Sequence, residues 1–215
     1  MKIYISQNSA FFVLRYFLKF FEQENSMTIF VIESKRGRIK KIFEIAKNFG
    51  ILNFAFASAC ELIYRPFFIN RLKSIKYINI SDNELNQFLQ TSVVSEKGLV
   101  EIYSIGCPCK IDFTALSQSN ITALNLHGGI LPHQIGRFSP IRSLATGHQV
   151  LGCSIHKISS DFDKGEIFSQ SAFIVKEKNV LLNYLKVLKL SKKLLQQYQH
   201  GYSCDLPDNI KKYFN

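Results

Sequence analysis

The spacing of apolar residues constrains the fold of this chain more than any other feature of its sequence. Short runs rich in β-branched residues alternate with longer stretches whose apolar residues recur at helical spacing. This alternation is typical of an α/β fold with a mostly parallel central sheet flanked by helices. The strands are predicted at Lys2–Ser6, Thr28–Glu33, Leu99–Ile105, Ile121–Leu126, Val150–Ile158 and Glu166–Val175.

Helices are predicted between these strands, and glycines mark two of their ends. Gly50 and Gly147 follow amphipathic stretches at the place where a helix usually stops. Residues 56–95 show no clear period. The pattern favours one globular domain over residues 1–178 and a short helical tail over 179–215. The predicted helices are Ala10–Gln23, Gly37–Phe49, Ser139–Thr146 and Leu181–Tyr198.

The charge of the chain suggests an anionic partner. Its 215 residues include 27 Lys and Arg against 16 Asp and Glu, a net charge of +11. Nucleotides, folates, nucleic acids and acidic membranes all fit that sign. No run of about 18 uncharged apolar residues occurs, so no transmembrane helix is predicted. The Phe-rich stretch Ala10–Gln23 fits a core helix better than a membrane anchor, and neither a membrane nor a nucleic acid is expected as a partner.

The five cysteines favour reduced thiols in a cytoplasmic protein. Their number is odd, and no secretory leader precedes them. Cys107 and Cys109 form a Cys-x-Cys pair without the four ligands that a structural zinc ion requires. We therefore expect no metal site.

The segment Asn125–Pro132 carries the most informative pattern. Asn125 and His127 fall on the same side of a predicted buried strand, at its carboxyl end. Ligands bind at this edge of open α/β sheets. Gly128 and Gly129 end the strand and leave the backbone open to a close approach.

Asp163 is a candidate third member of this site. It lies in the loop Ser159–Gly165 between two predicted strands, and a carboxylate beside His127 would favour the imidazolium. Asn125 and a charged His127 would then donate hydrogen bonds to an oxyanion, as acyl transfer without a protein nucleophile requires. The same residues fit a structural role equally well, in which Asn125 caps a turn and His127 is a satisfied core residue.

Residues 125–170 resemble the folate-dependent formyltransferase family. The gap of 36 residues (163 − 127) between His and Asp is similar to the family's spacing. Two departures stand out: Gly128-Gly129 replaces the frequent Pro-Ser, and Gln134-Ile135-Gly136 replaces Tyr-Arg-Gly. The matching positions are Asn125, His127, Leu131, Pro132, Gly136, Pro140, Gly147, Gly152, Asp163 and Gly165.

The resemblance implies a Rossmann-like formyltransferase fold, with N10-formyltetrahydrofolate as formyl donor and an amine as acceptor. Asn125 and His127 would polarise the formyl oxygen, and Asp163 would pair with His127 and help remove a proton from the amine. Family similarity also implies a folate-binding role for residues of two loops, the first of which follows the predicted strand Leu99–Ile105. These residues are Gly106, Cys109, Lys110, Ile111, Ser159, Asp161 and Phe162.

The acceptor is predicted by elimination among the branches of the family. The loop after the first strand, Ser6–Ala10, lacks the glycines of the glycinamide ribonucleotide branch, and no room for a tRNA-binding barrel follows Val175. No regulatory domain of the hydrolase type precedes Lys2. The chain is thus most similar to nucleotide-sugar N-formyltransferases, which implies a dTDP- or UDP-linked amino-deoxy sugar of the 4-amino-4,6-dideoxyglucose type for surface polysaccharide (O-antigen, lipopolysaccharide) synthesis.

Three alternatives stay open at this stage. The acceptor can be methionyl-tRNA or glycinamide ribonucleotide, or the chain can be a non-catalytic folate- or nucleotide-binding relative. A basic nucleic-acid binder rests on charge alone. A homodimer is compatible with the family resemblance.

Overall fold

The seven strands form one sheet in the order β3-β2-β1-β4-β5-β6-β7. We describe the chain from a computed structural model, which covers residues 1–23, 25–32, 43, 46, 47, 49–112, 114–116 and 118–214. Three of the four strand pairs whose register is described are parallel, as expected for a Rossmann-like sheet. The fourth pair, β6 with β7, is antiparallel. The strands are β1 (Lys2–Ser6), β2 (Ser26–Ile32), β3 (Tyr77–Ser81), β4 (Val100–Ile105), β5 (Ile121–His127), β6 (Val150–Lys157) and β7 (Ile167–Ile174).

Helices of very different lengths connect these strands. A π-helical turn at Ala10–Leu14 leads into the first helix, and a second π-helical turn at Leu89–Val93 follows the third. The helices are α1 (Arg15–Phe21), α2 (Ile51–Leu72), α3 (Leu85–Phe88), α4 (Ser139–Ala145), α5 (Val180–Gln199) and α6 (Asp208–Lys211).

The chain divides into two compact units, Met1–Leu124 and Asn125–Asn215. In the first unit, β1 lies between β2 and β4, and Lys2 is in register with both Ser26 and Glu101. Ile3, Tyr4 and Ile5 are fully buried. A strand buried on both faces reads as a continuous apolar run, which is why β1 is readily predicted from the sequence.

The second unit is built on the antiparallel pair of β6 and β7. Its register shifts by one residue between Ile155 and His156, and such a bulge redirects the side chain beside it. Asn179 caps α5 by accepting a hydrogen bond from the Leu182 N–H at 2.9 Å. The end of the chain packs against this unit through a small apolar cluster that comprises Ile130, Val150, Leu206 and Ile210.

The structure confirms the predicted fold class and most of the predicted elements. The six predicted strands and the C-terminal helix lie within two residues of their predicted bounds, whereas β3 is not predicted from the sequence. The stretch Ala10–Gln23 is divided between a π-helical turn and α1 rather than forming one regular helix. The predicted helix Gly37–Phe49 lies largely outside the described residues. The division at 178/179 stays a prediction.

Helix α2 is the main element that the sequence does not reveal. It is 22 residues long, and apolar side chains lie on all its sides, so no helical period emerges from residues 56–72. No helix in the described part of the chain is both long and apolar enough to span a bilayer.

Candidate active site

Asn125 and His127 lie at the carboxyl end of β5, on the same side of the strand, as their spacing predicts. His127 is the last residue of the strand and is 8% exposed, whereas Asn125 is half-buried. The loop that follows folds back over His127. The residues of this site therefore belong to the second unit.

The His127 ring is held by a backbone carbonyl. Its Nε2 atom lies 2.6 Å from the Gln134 oxygen, and because a carbonyl only accepts, Nε2 carries the proton. The Ser139 hydroxyl lies 3.3 Å from the same nitrogen and donates to the Gly128 carbonyl. Nδ1 of His127 faces Asp163. Both ring nitrogens are thus engaged within the protein.

Gly129 permits this close packing. A Cβ atom built on Gly129 would approach the Gln134 carbonyl, the Ser139 Oγ at 2.5 Å and the His127 Nε2 at 2.7 Å. Such distances exclude any side chain unless the loop moves. The departure from the family pattern at this position therefore has a local reason: the loop lies against the histidine.

Asp163 is the common neighbour of two histidines. Its Oδ1 atom lies 3.5 Å from Nδ1 of His127 and 3.6 Å from Nε2 of His156, while Oδ2 accepts the Gly136 N–H at 2.6 Å. The residue has a φ of 57°, in the left-handed region that Asp and Asn tolerate better than most residues. The loop therefore adopts an uncommon backbone conformation at the carboxylate.

The charge states follow from burial and hydrogen bonding. Burial lowers the pKa of His127 below its usual value, and the opposing effect of Asp163 is smaller. For Asp163, burial alone would raise the pKa, but the neighbouring rings of His156 and His127 and the Gly136 N–H together hold it below the usual range. The sequence predicts an imidazolium at His127. The structure instead favours a neutral ring at neutral pH, because desolvation outweighs the carboxylate.

His156 completes the cluster and is the residue whose role the sequence does not predict. It is 2% exposed, and its Nδ1 donates to the Lys157 carbonyl at 2.9 Å. Its Nε2 accepts a hydrogen bond from the Asn125 amide at 3.0 Å. The signal in the sequence is a polar residue inside the otherwise apolar run of β6.

A buried polar network fixes the loop between β5 and α4. The Gln134 side chain accepts from the Ile130 N–H at 3.0 Å and donates to the Val150 carbonyl at 2.8 Å. Ser154 accepts from the Leu131 N–H at 3.1 Å and donates to the Gly129 carbonyl at 2.8 Å. The Leu131–Pro132 peptide bond in this loop is cis. These bonds orient the carbonyl that holds His127.

The residues predicted to bind folate lie in two loops, each described within its own unit. In the first unit, Gly106 has a φ of 62° and the Cys107 and Cys109 sulfurs are 3.7 Å apart. Asn86 donates to the Lys110 carbonyl at 3.3 Å. Ile111, the last residue of this loop, is buried.

In the second unit, the other predicted folate loop leads directly into Asp163. The Ser159 hydroxyl donates to the Asp161 carbonyl at 2.8 Å, and Phe162 is 65% exposed. This loop presents an aromatic ring next to the candidate base. Binding of folate by either loop stays a prediction.

Two further side chains of this region, His133 and Arg137, have structural partners. The His133 ring stacks on Phe214 with centroids 4.5 Å apart, and the Arg137 guanidinium lies over the Phe138 ring at 5.7 Å. Among the described residues, no group of three or more His, Cys, Asp and Glu side chains could hold a metal ion. Proton transfer and hydrogen-bond donation are the chemistry that this cluster offers.

Comparison with known proteins places this cluster in a family. Residues 111–198 match the family model described as formyl transferase, and this segment includes Asn125, His127 and Asp163. The segment 111–198 is thus similar to the formyl transferase family, in agreement with the resemblance predicted from the sequence.

Two curated relatives match part of the chain. Methionyl-tRNA formyltransferase of Fervidobacterium nodosum is 33% identical over 87 residues, which is 40% of this chain and 28% of that protein. The human trifunctional purine biosynthetic protein adenosine-3 is 29% identical over 99 residues, which is 43% of this chain and 10% of that protein. The chain therefore spans less than a third of either relative.

Solved structures share the fold over nearly the whole chain. Phosphoribosylglycinamide formyltransferase from Anaplasma phagocytophilum has a TM-score of 0.60 and 16% identity, covering 97% of this chain and 90% of that one. A 4-N formyltransferase from Francisella tularensis has a TM-score of 0.57 and 13% identity, covering 93% and 69%. A sugar 3N-formyl transferase, solved in the presence of dTDP and 5-N-formyl-THF, has a TM-score of 0.52 and 20% identity, covering 94% and 64%. At these identities the likeness shows the fold.

Proposed function

We propose that this chain transfers a formyl group from N10-formyltetrahydrofolate to the amine of a nucleotide-linked amino-deoxy sugar. One observation carries the proposal: a single carboxylate oxygen of Asp163 lies 3.5 and 3.6 Å from two buried imidazoles, one of which holds Asn125. Proton acceptors and neutral N–H donors are thereby assembled without a protein nucleophile. Direct transfer of an acyl group to an amine requires this set of groups.

The acceptor amine attacks the formyl carbon of the folate donor, the bond between that carbon and N10 then breaks, and N10 of the leaving tetrahydrofolate takes up the proton that the amine has lost. Asp163 is ionised at neutral pH because its pKa is held below the usual range, so it can take a proton from the attacking amine, directly or through one water molecule. Asn125 donates an amide N–H toward the oxygen that becomes negative. His127 stabilises the same oxygen through its Nε2 proton.

His127 must exchange one hydrogen bond to do this. Its Nε2 proton points at the Gln134 carbonyl, 2.6 Å away. To reach the formyl oxygen, the ring has to give up that carbonyl, and the developing negative charge is the stronger acceptor. The Gln134 carbonyl therefore orients the ring before substrate binds and competes with substrate afterwards.

The loop after β1 supports a sugar nucleotide over a ribonucleotide acceptor. The N-terminus of the π-helical turn at Ala10–Leu14 is already occupied by a carboxylate, because Glu61 accepts the Ser9 hydroxyl at 2.9 Å and the Phe11 N–H at 2.8 Å. In the glycinamide ribonucleotide branch, the resemblance implies a glycine-rich phosphate loop at this place. A bound phosphate would meet the negative charge of Glu61 here.

The proposed acceptor is a dTDP- or UDP-linked sugar of the 4-amino-4,6-dideoxyglucose type, for the synthesis of O-antigen and related surface polysaccharide in the cytoplasm. The dTDP-bound sugar 3N-formyl transferase of the same fold supports a nucleotide-linked acceptor. The net charge of +11 suits two polyanionic substrates. A homodimer stays a prediction.

Glycinamide ribonucleotide is the second candidate acceptor. One observation favours it: this chain covers 90% of the Anaplasma phosphoribosylglycinamide formyltransferase but only 69% and 64% of the two sugar formyltransferases. The described fold thus matches a larger share of the ribonucleotide enzyme than of the two sugar enzymes. The position of Glu61 disagrees with it.

A mass-spectrometric transfer assay tests the proposal. The purified chain is mixed with N10-formyltetrahydrofolate and with dTDP- and UDP-linked 3-amino and 4-amino sugars, in parallel with glycinamide ribonucleotide and methionyl-tRNA. His127→Asn is run as the inactive variant. His148→Asn is the matched control, because it makes the same substitution at an exposed histidine outside the proposed site.

The expected result is one added formyl group on one amino sugar, present with His148→Asn and absent with His127→Asn. Formylation of glycinamide ribonucleotide alone would replace the proposed acceptor by the second candidate. Folate binding without transfer to any amine would make the chain a non-catalytic relative. Loss of transfer with both variants would contradict the assigned site.

A further inference from the structure

Helix α2 exposes an apolar surface. Six large apolar side chains on it are between 57% and 84% exposed. The opposite side of the helix packs within the first unit, where the Tyr64 ring lies 5.9 Å from that of Phe11. A helix that is apolar on all sides is normally covered on all sides. We call the six exposed side chains the outward face: Ile51, Leu52, Phe56, Leu62, Ile63 and Phe67.

The outward face is continuous and carries no charge. At 100° per residue, its six side chains fall within an arc of about 160° along a helix roughly 33 Å long. The two arginines of the helix, Arg65 and Arg71, lie just outside the two edges of that arc. Long basic side chains at the borders of an apolar face are typical of helices that lie at a membrane surface.

The one acidic residue of α2 is turned away from the outward face. Glu61 accepts hydrogen bonds from the Ser9 hydroxyl and the Phe11 N–H, both in the first unit. Its other carboxylate oxygen faces Arg65 at 3.4 Å. Nothing acidic on this helix would therefore oppose an anionic surface.

The sequence around α2 concentrates the positive charge of the chain. Residues 34–76 contain ten of the 27 Lys and Arg residues but two of the 16 Asp and Glu residues, a net +8 out of +11. Lys73 and Lys76, which follow the helix, are exposed. Exposed lysines at the end of a helix with an apolar face attract anionic lipid headgroups.

We propose that the outward face of α2 binds the surface of an anionic lipid bilayer, with the helix lying in the plane of the interface. A second copy of the chain fits this face less well, because it would bring the exposed Lys73 and Lys76 of two copies toward the same interface. The proposal differs from the sequence-based expectation that no membrane partner exists. It is independent of the proposed transfer reaction.

Vesicle binding by the full chain tests the proposal. The protein is sedimented with vesicles of neutral phosphatidylcholine and with vesicles that contain about 30% phosphatidylglycerol. We expect binding to the anionic vesicles at least tenfold stronger than to the neutral ones. Binding should weaken several-fold between about 0.1 M and about 0.5 M salt.

Charge substitutions on exposed apolar positions separate this face from the rest of the surface. The double variant Leu62→Glu/Phe67→Glu should lower the affinity for anionic vesicles at least tenfold and leave the fold intact. The matched control is Leu99→Glu/Tyr202→Glu, which adds the same charge at two positions that are equally exposed but lie outside α2. The control should retain at least half of the binding.

The absence of tryptophan from the sequence gives a second readout. A Phe67→Trp variant carries a single indole on the outward face, and Tyr202→Trp carries one elsewhere. With anionic vesicles, the emission of the first should shift to the blue and be quenched by brominated lipid chains. The emission of the second should stay unchanged.

Several results would overturn the proposal. Equal loss of binding in both double variants would mean that net charge alone drives it, and unchanged binding in Leu62→Glu/Phe67→Glu would move the contact to another surface. No vesicle binding, with a dimer that the same variant converts to a monomer, would assign the face to a second copy of the chain. An unshifted Phe67→Trp emission in sedimenting protein would exclude insertion of α2.

Discussion

Nδ1 of His127 lies 3.5 Å from Oδ1 of Asp163, and each side chain is only 9% exposed. Little water reaches the gap between them, so the proton balance of this pair is set by the protein rather than by the solvent. Because burial lowers the pKa of His127 and hydrogen bonds lower that of Asp163, the pair rests as a neutral ring beside a carboxylate. A proton released by the substrate could therefore be accepted by this pair, because neither the ring nitrogen facing Asp163 nor the carboxylate carries one.

Asp163→Asn should abolish most activity and preserve the fold. Asparagine tolerates the φ of 57° and can still accept the Gly136 N–H, but it cannot accept the proton of an amine. We expect kcat to fall roughly 10²- to 10⁴-fold, the range for loss of a general base. Steady-state kinetics with the acceptor found in the transfer assay measure it. Loss of kcat below tenfold would remove Asp163 from the proton pathway.

The adjacent glycines should differ sharply in their response to alanine. Gly129→Ala places a methyl group against His127 Nε2 and the Gln134 carbonyl, whereas a methyl group on Gly128 would meet its nearest neighbours, Val187 and Pro140, at 3.7 and 3.8 Å. We expect Gly129→Ala to lose about 1–3 kcal/mol of stability and at least tenfold in kcat, with Gly128→Ala close to the parent chain. Thermal unfolding and steady-state kinetics of the two variants measure these losses. Similar losses in both would show that the loop is uniformly tight.

The stability of the chain should fall as the pH drops below about 6.5, in part because of His127. Its pKa is lowered in the folded state, so between the folded value and about 6.5 the unfolded chain binds more protons and is favoured. Asp163 has the separate effect of a lowered carboxyl pKa, whose stabilisation is lost only in the more acidic range. Urea unfolding of His127→Gln at about pH 7 and about pH 5.5 should show a weaker pH dependence than the parent chain.

The control for this experiment is His148→Gln, since His148 is exposed. That variant should retain the pH dependence of the parent chain. If His127→Gln retained it as well, the histidine would not be the group that titrates.

His156 should act as a positioning residue for Asn125. His156→Ala removes the acceptor of the Asn125 amide and should lower kcat roughly 10- to 100-fold with little change in KM. His156→Gln retains an acceptor oxygen near the Nε2 position and should recover part of that loss. A merely structural role predicts instead that stability and activity fall in parallel in both variants, which thermal unfolding would reveal.

The buried network under the loop should contribute measurable stability. Ser154→Ala leaves the Leu131 N–H and the Gln170 amide without their shared acceptor oxygen, which should cost about 1–3 kcal/mol. The exposed Ser95 bonds only to the nearby Ser92 carbonyl, so Ser95→Ala is the control and should change stability by less than about 0.5 kcal/mol. Equal urea midpoints for the two variants would contradict the assigned role of the network.

The sequence predicts those parts of the fold and site that depend on local pattern. Strands such as β1 are buried on both faces and form short apolar runs, and the spacing of Asn125 and His127 follows from the pleat of β5. Helix α2 is not predicted from the sequence, because apolar residues lie on all its sides and give no helical period. The bond from His127 to the Gln134 carbonyl has no sequence signature, because every residue has such a carbonyl.

Two further properties of the site depend on three-dimensional packing. The charge state of His127 is set by how deeply the loop buries it, and spacing along the chain carries no such information. His156 reaches Asn125 beside a bulge in the pairing of β6 and β7. A one-residue irregularity of this kind is not visible in the alternation of a strand.

Every hydrogen bond and ion pair that the structure describes for the side chains of His127, His156 and Asp163 is made within residues 125–163. The groups proposed to carry the reaction are thus encoded by one uninterrupted stretch of 39 residues (163 − 125 + 1). Changes in the preceding 124 residues, including a helix as unusual as α2, need not disturb the bonds within the cluster. Substitutions in the first 124 residues can therefore change what the chain binds while the proposed catalytic groups keep their hydrogen bonds.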